Sequence, residues 1–131
     1  MILVDTSVWV DFLNSKRGRT GDELERLIRS NAPVVLTGVV VTEVLQGLKQ
    51  DVDLVTGLLA RWPLIEPEGF ATYAAAAAIY RMARGRGVTL STIDALIAAL
   101  ALENDAALFS LDRDFERLTF TDLRLHGRKR R

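Results

Sequence analysis

The most constraining feature of this sequence is a regular alternation between short apolar runs of strand length and longer segments whose apolar residues recur every three or four positions. This alternation is typical of a parallel sheet, because parallel strands need a helical crossover between them. We therefore expect an α/β fold in which a mostly parallel sheet is sandwiched between helices. The predicted strands are 1–4, 33–37, 63–67, 107–109 and 122–125, the predicted helices are 7–13, 22–30, 38–48, 51–62, 70–84, 91–104 and 112–118, and 15–21 is predicted to be a loop.

Length and charge suggest one domain followed by a short tail. The chain has 131 residues, of which we assign 1–127 to a single domain and 128–131 to a basic C-terminal tail. The whole chain has 17 basic and 17 acidic residues, so residues 1–127 hold 13 basic and 17 acidic residues and a net charge of −4. A mildly acidic domain with a short basic tail is not the usual charge pattern of a free nucleic-acid-binding protein.

The cysteine and histidine content excludes several kinds of site. The chain has no cysteine, which rules out disulfides and thiolate zinc sites, and its single histidine, His126, rules out chemistry that needs two. We expect His126 to lie at the surface without a catalytic role. Asp5 interrupts the first apolar run, which therefore does not resemble a signal peptide. The longest stretch of low polarity, 71–80, is too short to span a bilayer, so we expect a cytoplasmic protein with no membrane partner.

Four acidic residues are expected to lie near one edge of the sheet. Asp5 ends the first strand and Asp112 follows the strand at 107–109. Ligands of parallel α/β folds bind beyond the carboxyl ends of the strands. Glu43 and Asp94 each lie about one turn into a predicted helix, close to the same edge. The sequence therefore predicts that the four carboxylates converge.

Each acid also has a purely structural interpretation. Asp5 could be only the N-cap of the following helix, and Asp112 could cap a short helix or form an Asx turn. Asp94 follows Ser91 at the spacing of a capping box, where an acid also suits the helix dipole. Glu43 could be a solvated residue on a helix surface. Each of these alternatives remains open for a residue taken alone.

A bound cation explains the four carboxylates together. Without a lysine or arginine alongside, they would repel one another, which raises their pKa values or costs stability. A hard divalent cation removes that repulsion, and oxygen ligands without His or Cys favour Mg²⁺ or Mn²⁺. Carboxylate-bound Mg²⁺ is typical of sites that cleave or transfer phosphate, because the metal lowers the pKa of bound water and stabilises charge on the phosphoryl oxygens.

Four sequence blocks, taken in order, resemble the PIN domain, and more closely the VapC-type toxin ribonucleases of bacterial toxin–antitoxin pairs. The resemblance spans nearly the whole chain. It implies a three-layer α/β/α sandwich and an endoribonuclease that hydrolyses RNA phosphodiester bonds with Mg²⁺ or Mn²⁺. The blocks are Ile2-Leu-Val-Asp-Thr-Ser-Val-Trp, Thr42-Glu-Val-Leu-Gln-Gly-Leu, Thr92-Ile-Asp-Ala-Leu-Ile-Ala-Ala-Leu-Ala and Phe109-Ser-Leu-Asp-Arg-Asp-Phe.

The resemblance also implies roles for individual residues. Ser110 stands where the family often has a threonine, so it could hold a water molecule or a phosphate. Thr6 or Ser7 could orient Asp5. Asp114 matches an acid that often accompanies the last block, although it could instead only cap a helix. The implied metal-binding and catalytic acids are Asp5, Glu43, Asp94 and Asp112.

Partners are implied by the same resemblance. Members of the family usually form homodimers, are neutralised by a small VapB-type antitoxin and contact operator DNA through that antitoxin. Their RNA substrates include tRNA, rRNA and mRNA. The alternative is a non-catalytic PIN-fold module that binds RNA or an antitoxin, and the presence of all four acids favours the enzyme. A dehalogenase-type phosphatase is disfavoured, because Ser7 stands where its general acid would be.

Overall fold

The computed structural model describes residues 1–127, which fold around one five-stranded parallel sheet. This confirms the predicted α/β fold, whereas the predicted tail at 128–131 lies outside the described residues. The strands are β1 (Ile2–Val4), β2 (Val34–Thr37), β3 (Leu64–Ile65), β4 (Ala107–Phe109) and β5 (Arg124–Leu125). The helices are α1 (Thr6–Leu13), α2 (Arg19–Arg29), α3 (Gly38–Gln46), α4 (Val52–Leu59), α5 (Phe70–Gly85) and α6 (Thr92–Glu103), with a 3-10 helix at Arg113–Arg117.

The strand order creates a binding crevice at one place in the sheet. The order is β3-β2-β1-β4-β5, so the chain moves outward from β1 on one side and then returns to build the other side. Strands β1 and β4 pair in parallel, with Val4 opposite Phe109. In open α/β sheets, ligands bind where the strand order reverses, beyond the carboxyl ends of the strands. That place is the junction of β1 and β4.

The core lies on both sides of the central strands. Leu3, Leu36 and Leu108 are at most 1% exposed. Helix α6 is apolar on nearly every side and buries residues 97–101, while α5 packs against it and buries Ala83. A helix that is hydrophobic all round is stable only when it is enclosed in this way. None of the helices within residues 1–127 is long and apolar enough to cross a membrane.

Trp9 belongs to the core. Its side chain is fully buried, and its ring contacts the rings of Phe12 and Trp62 edge-on at centroid distances of 5.8 and 5.1 Å. Edge-to-face packing of this kind adds to the stability gained from burial alone. The indole is therefore a packing group and offers no surface on which a nucleic-acid base could stack.

Helix α2 begins at Arg19, so the predictions of a loop at 15–21 and of a helix from 22 are wrong at this boundary. The cause is a cap supplied by another helix. The Asp11 carboxylate of α1 accepts hydrogen bonds from the backbone N–H groups of Gly18 and Gly21 at 2.8 and 2.7 Å, and from the hydroxyl of Thr20 at 2.8 Å. These bonds satisfy donors that a helix start leaves free. A side chain at Gly21 would come within 3.0 Å of the α1 backbone, so the close approach of the helices requires glycine there.

The expected surface position of His126 is also wrong, because its side chain is only 18% exposed. The backbone N–H of His126 donates to the carbonyl of Leu108 at 2.8 Å, which continues the pairing of β5 with β4. The imidazole packs on the ring of Phe109, with centroids 4.8 Å apart. Pairing at the sheet edge thus covers the ring.

Candidate active site

Asp5 and Ser110 meet at the junction of β1 and β4. The backbone N–H of Asp5 donates to the carbonyl of Phe109 at 2.8 Å, which extends the strand pairing by one residue. Directly beyond it, the hydroxyl of Ser110 donates to Oδ2 of Asp5 at 2.7 Å. The two predicted site residues are therefore in direct contact where the fold predicts a ligand site.

The Asp5 carboxylate is buried and held on both oxygens. Its Oδ1 accepts from the backbone N–H of Thr6 at 2.8 Å, so Asp5 is also the N-cap of α1, as its structural interpretation proposed. Asp5 is 6% exposed. Burial raises the pKa of the Asp5 carboxyl above its usual value, and the charges of Glu43 and Asp112 raise it further, against the lowering effect of the hydrogen bonds from Ser110 and Thr6.

Glu43 projects from α3 toward the start of α1. The hydroxyl of Thr6 donates to its Oε1 at 2.8 Å, and the side chain is half-buried. Helix α3 begins directly after β2, where the hydroxyl of Thr37 accepts from the backbone N–H of Val40 at 3.3 Å. Glu43 is thus oriented by a residue next to Asp5, and it is more than a solvated helix residue.

Asp94 approaches the same place from the first turn of α6. Ser91 caps this helix by accepting from the backbone N–H of Asp94 at 3.0 Å, as the spacing predicted. Burial raises the pKa of Asp94, and the charges of Asp112 and Asp5 add to that increase, while the hydrogen bonds to Ser91 lower it. A raised pKa is what like charges in a partly buried place produce.

Asp112 closes the site from the segment after β4. Its backbone N–H donates to the hydroxyl of Ser110 at 3.0 Å, and its Oδ1 accepts from the backbone N–H of Asp114 at 2.9 Å. Asp112 therefore caps the 3-10 helix and also interacts electrostatically with Asp5 and Asp94. The contact of Asp114 with this site is the hydrogen bond that its backbone N–H donates to Asp112.

The sequence predicted that Thr6 or Ser7 orients Asp5, and the structure shows the Ser7 alternative. The hydroxyl of Ser7 donates to Asp5 Oδ2 at 3.5 Å, whereas the hydroxyl of Thr6 donates to Glu43 and only its backbone contacts Asp5. Two further contacts were not predicted: the hydrogen bond from Thr6 to Glu43, and the one that Ser7 accepts from the backbone N–H of Leu111 at 3.1 Å. Ser7 thereby links the start of α1 to the segment that carries Ser110.

The donor chemistry of these acids fits a hard divalent cation. All four supply carboxylate oxygens, and no salt bridge joins any of them to Lys or Arg in the described part of the chain. Within residues 1–127, no three Asp, Glu or His side chains already stand at the distances needed to coordinate one metal ion. The carboxylates thus repel one another across the crevice, and a cation between them would reverse that repulsion.

Comparison with known proteins places the chain in a family. The family model of the PIN domain matches residues 2–121, so the chain belongs to the PIN domain family. It is similar to a VapC ribonuclease of Mycobacterium bovis and to ribonuclease VapC11 of Mycobacterium tuberculosis. Each is 35% identical over 124 residues, which cover 88% of this chain and 90% of the relative.

Solved structures have the same fold. VapBC2 of Rickettsia felis, bound to a DNA fragment from its promoter, has a TM-score of 0.75 at 22% identity and covers 96% of this chain and 98% of that one. VapC20 of Mycobacterium tuberculosis, described as a toxin that cleaves the sarcin–ricin loop, has a TM-score of 0.67 at 18% identity and covers 95% and 99%. The resemblance that the four sequence blocks predicted is therefore confirmed.

Proposed function

We propose that this chain is a Mg²⁺- or Mn²⁺-dependent endoribonuclease and the toxin of a VapBC-type toxin–antitoxin pair. The observation that carries the proposal is the buried Asp5 carboxylate, which interacts electrostatically with two other acids at the reversal point of the sheet. Its support from similarity is the 35% identity to proteins named VapC ribonucleases over most of both chains.

In this proposal Asp5, Glu43, Asp94 and Asp112 hold the metal. The bound ion supplies a polarised water and stabilises negative charge on the phosphoryl oxygens. The chain supplies the positions of the ligands. Ser110 fixes Oδ2 of Asp5, to which it donates its one hydroxyl hydrogen.

Hydroxyl partners suit the acids of such a site better than cations would. Thr6 holds Glu43, and Ser110 holds Asp5, through neutral hydrogen bonds. A neutral donor fixes the direction of a carboxylate and leaves its charge available to the metal, whereas a lysine or arginine would compete with the metal for that charge.

The partners follow from the same assignment. We propose a VapB-type antitoxin as the protein partner, contact with operator DNA through that antitoxin, a homodimer, and a cytoplasmic location. Exposed apolar side chains support a protein partner near α4 and the edge strand β3, where Leu54 is 73% and Leu64 50% exposed. The RNA substrate is a tRNA, an rRNA or an mRNA.

A cleavage assay across metals tests the proposal. The purified chain is incubated with tRNA, rRNA and mRNA in EDTA, Mg²⁺, Mn²⁺ or Ca²⁺, and new 5′ ends are mapped. Cleavage is expected with Mg²⁺ or Mn²⁺, weakly with Ca²⁺, and not in EDTA, because the reaction uses octahedral geometry and a tightly polarised water. Full activity in EDTA would contradict the metal mechanism. RNA binding without any cleavage would favour the non-catalytic module.

A further inference from the structure

A cavity of about 590 Å³ adjoins the acidic site and lies between the start of α2 and the segment after β4. Ser110 and Leu111 form part of one wall, Arg19 part of the opposite wall, and His126 also lines it. Because Ser110 contacts Asp5, this cavity opens beside the acids that we propose as metal ligands. None of the four acids lines this cavity itself, which meets the acidic site at Ser110. Another cavity, of about 810 Å³ at the end of α1, has neither these acids nor Ser110 in its lining.

Arg19 brings to the cavity wall a guanidinium that has no salt-bridge partner among the described residues. It is the first residue of α2, where the helix dipole disfavours a cation, and it forms no salt bridge within residues 1–127. The nearby Arg17, Arg26 and Arg29 all pair with glutamates of α2. An exposed arginine that stays unpaired in this neighbourhood is available to an external anion such as a phosphate.

The two acids of the lining are already engaged. The Asp11 carboxylate accepts hydrogen bonds at the start of α2, including those from Gly18 and Gly21, and Glu23 pairs with Arg26 at 2.5 Å. Both carboxylates therefore have partners other than Arg19. The guanidinium of Arg19 is the group on this wall whose charge lacks such a partner among the described residues.

The wall on the side of β4 consists of the exposed side chain of Leu111 and the partly covered ring of His126. Leu111 is 49% exposed although it stands between two site residues, Ser110 and Asp112. The imidazole of His126 packs on Phe109, and its buried Nε2 has no hydrogen-bond partner in the described part of the chain but lies 3.8 Å from Oε2 of Glu23. A ligand with a flat apolar face and a phosphate matches these two walls.

We propose that this cavity binds the nucleotide next to the cleaved bond of a single-stranded RNA. Arg19 contacts its phosphate, and Leu111 with the wall around His126 contacts its ribose and base. Phosphate contacts of this kind position an RNA, whereas contacts to an unstacked base contribute affinity and selectivity. The proposal rests on the ribonuclease function, and it makes the start of α2 and the segment after β4 determinants of RNA binding.

His126 provides a direct reporter of the cavity, because it is the only histidine in the chain. Its imidazole C–H signals are observed by NMR while a phosphorothioate RNA oligonucleotide, which resists cleavage, is titrated with Mg²⁺ present. A saturable shift of these signals is expected, with a smaller shift from inorganic phosphate at the same concentration. Signals that do not shift would overturn the proposal, whether or not the RNA binds elsewhere on the protein.

Substitutions on each wall test the two proposed contacts, to phosphate and to base, separately. Arg19→Gln should weaken oligonucleotide binding and lower the log–log salt slope by about 0.7, the value of one contact to a single strand. Leu111→Ala should weaken binding several-fold and leave the slope unchanged. The matched control is Arg29→Gln, at the other end of α2 and about 15 Å away along the helix axis. Equal effects of the two arginine substitutions would overturn the proposal.

The subsite and the ribonuclease function fail in different ways. Wild-type protein that cleaves no RNA in Mg²⁺ or Mn²⁺ would contradict the function, whatever the His126 signals show. Wild-type cleavage together with an Arg19→Gln variant whose KM and salt slope equal those of the wild type would overturn only the subsite.

Discussion

Replacing Asp94 by asparagine removes one charge from the acidic site at nearly constant volume. Two opposite effects on the metal-free protein follow from the structure. A negative charge in the first turn of an exposed helix contributes about 0.3–1 kcal/mol of stability. Against this, burial and the charges of Asp112 and Asp5 raise the pKa of Asp94, so the ionised carboxylate is less favourable in the folded chain than in the unfolded one.

The raised pKa sets both the sign and the pH range of the effect. A folded state whose acid has a raised pKa binds protons more tightly, so the penalty is fully present above the folded pKa and fades as the pH falls through it toward the usual value of 3.8. Metal-free Asp94→Asn should therefore melt at or above the wild type at neutral pH, and any excess should vanish in acid. For a chain of this size, 1 kcal/mol corresponds to about 3–5 °C.

Added metal should reverse the order of the two proteins. Mg²⁺ at about 100 times its Kd adds about 2.7 kcal/mol to the free energy of unfolding of a protein that binds it. The wild type should gain this increment, and Asp94→Asn should gain clearly less and cleave no RNA. Thermal melts in EDTA and in Mg²⁺ at several pH values, with a cleavage assay beside them, measure all three effects.

The matched control is Asp22→Asn, since Asp22 is an exposed acid in the first turn of α2. It should lose up to about 1 kcal/mol of stability and retain full cleavage and the full gain from Mg²⁺. If Asp94→Asn is destabilised like this control and cleaves RNA normally, Asp94 is only a helix-terminal acid and its catalytic assignment is wrong.

Three further substitutions or deletions test separate parts of the account. Thr6→Val removes the hydroxyl that holds Glu43, so cleavage should fall strongly while stability changes by only about 1 kcal/mol, as parallel melts and rate assays would measure. Asp11→Asn should lower the melting temperature at neutral pH, and the difference should disappear in acid, because hydrogen bonds from Gly18, Thr20 and Gly21 lower the pKa of Asp11. Deletion of residues 128–131 should reduce the salt slope of RNA binding by about 0.7 for each phosphate that the tail binds, and an unchanged slope would mean that the tail binds none.

The positions of the acids could be predicted because they depend on local pattern and on a general property of parallel sheets. Asp5 directly follows an apolar strand, and Ser91 precedes Asp94 at capping distance. The carboxyl ends of parallel strands share one edge, so acids at strand ends and in the first turns of the following helices approach one another. The roles of Asp5, Asp94 and Asp112 at helix starts are compatible with a metal site, because the same carboxylates can stabilise a helix start and face the crevice.

The contacts that the sequence did not reveal join residues far apart in the chain. Thr6 and Glu43 are 37 residues apart, and nothing near either one indicates the hydrogen bond between them. The start of α2 depends on Asp11 of another helix, whereas a search for local caps considers only partners within the same turn. His126 is covered because the short strands β4 and β5 pair. Strand pairing depends on residues far apart in the sequence, so the polar residues around His126 gave no sign of it.

Anomalous diffraction from crystals grown with Mn²⁺ tests the central claim most directly, because it locates the ion without assuming any activity. We predict a peak in the crevice beyond β1 and β4, within about 2.5 Å of carboxylate oxygens of Asp5 and of at least one of Glu43, Asp94 and Asp112, and no such peak in Asp94→Asn crystals grown in the same way. A wild-type crystal without manganese in this crevice, or with the ion bound by other residues, would contradict the assignment of these acids as one metal site.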